Sequence, residues 1–128
     1  MNHSLPETAT NHCCLHVHVT LNTSPEEWLV LCERAVPQML TVPGLSWKLW
    51  LLDRERASAG GLYLFEDREA ARAYAEGPIL EQLRRSPAVR ALRTELLPIV
   101  DGLSRRTRGL PVAAPDRALL TALGAAHG

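Results

Sequence analysis

The sequence is almost devoid of lysine: of 14 basic residues only Lys48 is one, the others being arginine. It also lacks a charge of prevailing sign, with 14 basic residues against 14 acidic ones and a pI near 7.0. Nucleic-acid-binding domains usually carry a basic excess, so no nucleic acid is expected as a partner. No apolar run approaches the roughly 18–20 residues of a membrane-spanning helix, and Met1–Asn11 is polar without the basic-then-apolar order of a signal peptide. No membrane is therefore expected as a partner, and the expected location is cytoplasmic. The three cysteines, Cys13, Cys14 and Cys32, are an odd number and give no disulfide framework. They read as buried thiols behaving as small hydrophobes. A metal site would need more Cys or His at ligand spacing, so no metal is expected. A phosphate-cradling glycine loop is missing too, because Gly60-Gly61 opens a strand and not a helix. No flavin or other cofactor is expected.

What is present fits one domain. The chain has 128 residues, 46% hydrophobic and 22% charged. Residues 1–11 read as a disordered tail. In Cys13–Leu21, Leu15, Val17 and Val19 alternate with His16, His18 and Thr20, the period of a strand. Ser24-Pro25-Glu26-Glu27 is a helix start: Ser24 as N-cap, Pro25 at the first helical position and Glu27 completing a capping box. Trp28, Leu31, Cys32, Ala35 and Met39 follow on one helical face, with Pro37 expected to kink the helix or end it near Val36. Leu45–Asp53 and Gly60–Glu66 read as two strands joined by a charged loop. Asp67 caps a helix to about Glu76, with Ala70, Ala71 and Tyr74 facing inward. Gly77-Pro78 breaks it, and Ile79, Leu80 and Leu83 continue on a short helix. Ala91–Asp101 is a fourth strand, placed at an edge by Pro98.

The order β-α-β-β-α-β is the ferredoxin-like arrangement, an α+β fold with helices on one face of a four-stranded antiparallel sheet. The expected division is residues 12–103 as this domain and 104–128 as an extension, with a short helix over Asp116–Leu123. Within the extension, Ser104–Arg108 reads as a solvated basic stretch or as a cover over the domain that binds an anionic group.

Sorting strand residues by parity places Leu15, Val17, Val19, Trp47, Leu49, Leu51, Leu62 and Leu64 under the helices. The other face then carries His16, His18, Lys48, Trp50, Gly61, Tyr63 and Phe65. Three large aromatic side chains are costly to leave in water, at roughly 150–250 Å² each. A second copy of the chain, a ligand, or both should cover this face.

The residues Gly44-Leu45-Ser46-Trp47-Lys48-Leu49-Trp50, then Gly60-Gly61-Leu62-Tyr63-Leu64-Phe65-Glu66-Asp67 and Ala73-Tyr74, resemble the signature of the YdhR-like monooxygenase family. The resemblance covers roughly residues 12–108, with His18 and Leu103-Ser104 also in keeping. It implies a dimeric α+β barrel, in which two ferredoxin-like sheets meet face to face. Its wider superfamily includes cofactor-free oxygenases of phenolic polyketides, heme-degrading enzymes, polyketide cyclases and isomerases.

The expected function is a cofactor-independent monooxygenase acting on an aromatic or polyketide-like small molecule. A polyketide cyclase or isomerase and a non-catalytic small-molecule-binding dimer are the alternatives. In the oxygenase reading His18 is the base and Lys48 the partner of the resulting oxyanion. Trp50, Tyr63 and Phe65 stack on a planar substrate, and His16 assists or orients. Lys48 alternatively forms an ion pair with Glu66, Glu95 or a carboxylate of the partner chain. An axial heme ligand at His16 or His18 lacks any further heme signal.

Overall fold

The first helix begins where its side chains direct. Ser24 is the N-cap of α1 (Pro25–Met39), and its hydroxyl accepts from the Glu27 amide at 3.1 Å. Only half of the capping box forms, because the Glu27 carboxylate takes the Thr23 hydroxyl instead. The computed structural model describes residues 10–111. The expectations for residues 1–9 and for a helix over Asp116–Leu123 lie outside them. The remaining elements are β1 (Thr10–Leu21), β2 (Leu45–Asp53), β3 (Ser58–Phe65), α2 (Arg68–Ala75), α3 (Pro78–Arg84), β4 (Val89–Val100) and α4 (Asp101–Arg106). The strands form one antiparallel sheet in the order β2-β3-β1-β4. The fold is the expected ferredoxin-like one, with Pro98 on an edge strand.

Several boundaries differ from the sequence reading. α1 runs through Pro37 to Met39. Pro37 leaves the Glu33 carbonyl without its helical donor, but the Leu40 amide still reaches the Val36 carbonyl at 3.1 Å, so the helix continues two residues past the proline. β3 starts at Ser58, shortening the β2–β3 connection to Arg54–Ala57. Asp53 Oδ1 organises that turn by accepting from the Glu55 and Arg56 amides at 3.1 and 3.2 Å, and Ala57 takes a φ of 50°. α4 crosses the boundary expected between residues 103 and 104, so Ser104–Arg106 are helical.

β1 also begins earlier than expected, at Thr10, which removes Thr10 and Asn11 from the tail. The cause is a buried carboxylate far along the chain. Asp101, 2% exposed, accepts from the amides of Asn11 (3.1 Å) and His12 (3.0 Å) and pairs with His12 Nδ1 at 2.6 Å. This clasp ties the start of β1 to the junction of β4 and α4.

The sheet register corrects the assignment of faces. Leu15 stands opposite Tyr63, Val17 opposite Gly61, and Lys48 opposite Tyr63 from the other side. Cross-strand partners share a face. The helix side therefore carries Leu15, Val17 and Val19 together with Lys48, Trp50, Tyr63 and Phe65. The open side carries His16 and His18 together with Leu49, Leu51 and Leu62. The expected parity holds for β1 and is reversed in β2 and β3. Both faces are largely apolar, so alternation has no polar side from which to fix the parity.

Gly60 is required where β3 crosses β1. Its φ is 148°, and a Cβ there would stand 1.8 Å from the Val17 carbonyl oxygen. On the helix side, α2 and α3 lie close to the sheet, whereas the backbone of α1 stands farther away. The buried side chains of α1 are Trp28 and Met39.

Candidate active site

The stand-off of α1 leaves a hollow of about 250 Å³ between that helix and the sheet. Val17, Lys48, Trp50 and Tyr63 form its floor; Trp28, Cys32 and Met39 come from α1, and Tyr74 from α2. The apolar stripe of α1, expected to be core, is thus in part the roof of a cavity. Trp28, Cys32 and Met39 were legible as inward-facing, but nothing in their spacing distinguishes a wall of a hollow from a filled interior.

Lys48 dominates the electrostatics. Its Nζ lies 3.3 Å from the centroid of the Trp50 ring and 4.6 Å from that of Tyr63, a cation held over two π faces. Among the described residues it has no ion-pair partner. The expected pairs with Glu66 or Glu95 do not form: Glu66 is exposed, and Glu95 is cross-strand to His16 on the open side. Burial disfavours the ammonium and lowers its pKa from 10.5 to about 8, with the Cys32 thiol opposing that shift. The Cys32 thiol is pushed up by burial, against the pull of Lys48.

The tyrosines are neutral donors. The hydroxyls of Tyr63 and Tyr74 are hydrogen-bonded at 3.2 Å, with Met39 Sδ 3.7 Å from the Tyr74 oxygen. Burial raises both pKa values, and for Tyr63 the neighbouring Tyr74 adds to the effect. A hydroxyl pair uses one proton internally and keeps a second to donate.

Gly61 makes room for the lysine. A Cβ at this position would lie 2.8 Å from Lys48 Cε and 2.9 Å from Tyr63 Cε1. Tyr63 is locked among Phe65 and Tyr74, with ring centroids 6.2 and 5.0 Å away, so the lysine stem is the part that must move. Gly61→Val, which suits a strand, should weaken binding of 2-naphthalenesulfonate at least about tenfold, the order expected for losing a charge-assisted contact. Tryptophan fluorescence titration reads the change.

The structure gathers some sequence-predicted site residues and separates others. Lys48, Trp50 and Tyr63 meet in the hollow. Phe65 is fully buried against Tyr63 and Tyr74 and does not line it. His16 and His18 lie on the opposite face, their rings 3.5 Å apart. The His18 pKa is lowered by burial, then by His16 and Arg93, with Glu95 opposing. The reversed parity of β2 and β3 accounts for this separation: the two histidines and Lys48 do not share a cavity within one chain. Among the described residues no group of three or more His, Cys, Asp or Glu is arranged to hold a metal ion, and no helix is long and apolar enough to cross a membrane.

The molecule is thus a ferredoxin-like α+β domain with a small, mostly apolar hollow beneath its helices that holds one cation and two neutral phenols, the general make-up of a ligand pocket. The chain belongs to the family described as "Putative mono-oxygenase ydhR", whose model matches residues 14–110. No curated protein matches it. Its fold is similar to that of SnoaB, a cofactor-independent oxygenase from Streptomyces nogalater: TM-score 0.55, 18% identity, 68% of this chain and 91% of that one. It is also similar to the monooxygenase ActVA-Orf6 of Streptomyces coelicolor, solved with nanaomycin D: TM-score 0.52, 13% identity, 84% and 94% covered. Protein SO0527 from Shewanella oneidensis gives a TM-score of 0.58 at 9% identity, with 71% and 93% covered.

Proposed function

We propose that the protein is a cofactor-independent monooxygenase acting on an aromatic or polyketide-like small molecule held between α1 and the sheet. The observation that carries this reading is Lys48, a cation over aromatic rings in a half-buried hollow, without an ion-pair partner among the described residues. Family membership and the description of SnoaB support it.

In such a reaction the substrate supplies all the electrons. A phenol with an activated methylene fits: the CH₂ becomes C=O, one oxygen atom of O₂ enters the product, and the other leaves as water with the two methylene hydrogens. The protein's part is to generate and hold the electron-rich anion. With a pKa of about 8, Lys48 is partly neutral near neutral pH and takes the substrate's phenolic or enolic proton. The ammonium so formed then pairs with the oxyanion, and the tyrosine pair donates a hydrogen bond to it. Lys48 thus takes the role of base that the sequence reading gave to His18.

The open face is the surface for a second copy of the chain. Leu49 (53% exposed) and Leu97 (45% exposed) stand there beside His16 and His18, an apolar area suited to sheet-on-sheet association. Sedimentation at micromolar concentration should show a homodimer; a monomer would remove it.

The chemistry is tested with 1,8-dihydroxyanthrone under ¹⁸O₂, against a protein-free control. Faster conversion with label in the new carbonyl is expected. An unlabelled dehydrated or isomeric product from a polyketide-like substrate would point to a cyclase or isomerase instead. Bound but unchanged ligand would point to a binding protein.

A further inference from the structure

The mechanism leaves His16 and His18 unused. Both stand on β1, an inner strand flanked by β3 and β4, so their rings occupy the middle of the open face and not its rim. The ring centroids are 3.5 Å apart, tilted by 41°. Two positive charges that close repel, and the contact favours at least one neutral ring. β4 sets a charge beside each: Arg93 is cross-strand to His18, and Glu95 to His16. On the other side β3 presents Gly60 and Leu62, and β2 beyond it Leu51 and Leu49, none of which titrates. Along β1 itself the next residue on this face is Cys14, a thiol whose pKa is raised by burial and which stays neutral. Arg93 and Glu95 are exposed, and neither is in an ion pair among the described residues.

We propose that the open face is a pH-gated interface, on which two copies of the chain associate while His16 and His18 are neutral and separate when the pair takes up protons. This rests on the homodimer reading above and adds what controls it. A two-fold interface joins the same patch on both copies. Arg93 and Glu95, opposite in charge and two residues apart, therefore pair reciprocally across the axis, flanked by the exposed Leu49, Leu51 and Leu97. With neutral imidazoles the central patch carries one charge of each sign. One added proton makes it net positive on both copies. Loss of water in the dimer disfavours the imidazolium further, so the dimer binds fewer protons than two separate chains. Association must then weaken as pH falls through the histidine range.

Sedimentation over a concentration series gives the dimer Kd at pH 7.5 and pH 5.0 for wild type and for His16→Gln/His18→Gln. Glutamine keeps hydrogen-bonding groups but takes up no proton. The other histidines, His3, His12 and His127, are the same in both proteins. Circular dichroism at pH 5.0 checks the fold, and the Asp101 clasp, with its pKa below 3.8, keeps its charge there. The wild-type Kd should rise at least about tenfold at pH 5.0, the least expected if one histidine in each copy must be neutral for association. The Kd of the double variant should agree within about twofold at the two pH values. A wild-type Kd that does not change, or a double variant that weakens as much as wild type, would overturn the gate and leave the dimer standing. A wild-type monomer at pH 7.5 would overturn the dimer reading itself. If the glutamine variant does not associate at pH 7.5, His16→Phe/His18→Phe, which keeps two flat uncharged rings, serves the same comparison.

Discussion

Lys48→Met should lower kcat/KM for an oxidisable phenol by about 100-fold or more, the scale associated with losing a preorganised oxyanion partner, without lowering Tm. The two halves of this expectation have the same source. The ammonium lies over Trp50 and Tyr63 with no carboxylate among the described residues to balance it. A methionine of similar length relieves the cost of that burial. It removes both the proton acceptor and the charge that holds the anion. A fall in activity with unchanged or raised stability separates this role from a structural one. Full activity in Lys48→Met would remove the residue from the mechanism.

The lowered pKa of Lys48 gives the roles opposite pH dependences. Below about 8 the group is mainly ammonium, and above it mainly amine. Pairing with a permanent anion such as 2-naphthalenesulfonate therefore weakens as pH rises through about 8. Proton abstraction from a neutral phenol strengthens through the same range. Lys48→Arg keeps the charge but cannot give it up, so its affinity for the sulfonate should stay flat with pH and its turnover should be poor. A sulfonate affinity that is flat in wild type would show that Lys48 does not contact the anion.

The element order was legible because local chemistry declares it. Ser24, Asp67, Gly77-Pro78 and the period-two run from Leu15 to Thr20 each act within a few residues. The faces of the sheet were less legible, and the candidate site inherited that ambiguity. Leu49, Leu51 and Leu62 look like core, yet the pairing of Leu15 with Tyr63 puts them on the open side. Lys48 and Trp50 look like surface, yet they floor a hollow. Register depends on partners tens of residues away, and two apolar faces give it no polar side to read. Identifying Lys48, Trp50 and Tyr63 as a group needed only their parity relative to one another, which β2 and β3 preserve. Adding His16 and His18 required the relation between β1 and β3, which parity alone does not supply.

The Asp101 clasp lies wholly beyond local reading, since its partners His12 and Asn11 are 89 and 90 positions away. Its removal should be the most destabilising polar change in the described fold. Asp101→Ala strands two amides and an imidazole that now bond one buried carboxylate, a loss of about 3–5 kcal/mol in urea unfolding at pH 7. Asp101→Asn, nearly the same shape, should lose less. The pH dependence distinguishes charge from shape. Burial tends to raise the Asp101 pKa, but the hydrogen bonds from the His12 ring and the Asn11 and His12 amides outweigh it, and the net shift is below the usual 3.8. The folded state therefore binds this proton less readily than the unfolded chain. The carboxylate's contribution is fully present above pH 4 and is lost as pH falls through the depressed folded value. Wild type should lose part of its advantage over Asp101→Asn between pH 4 and pH 2. A gap between the two proteins that stays constant across that interval would mean that the clasp works by shape and not by charge.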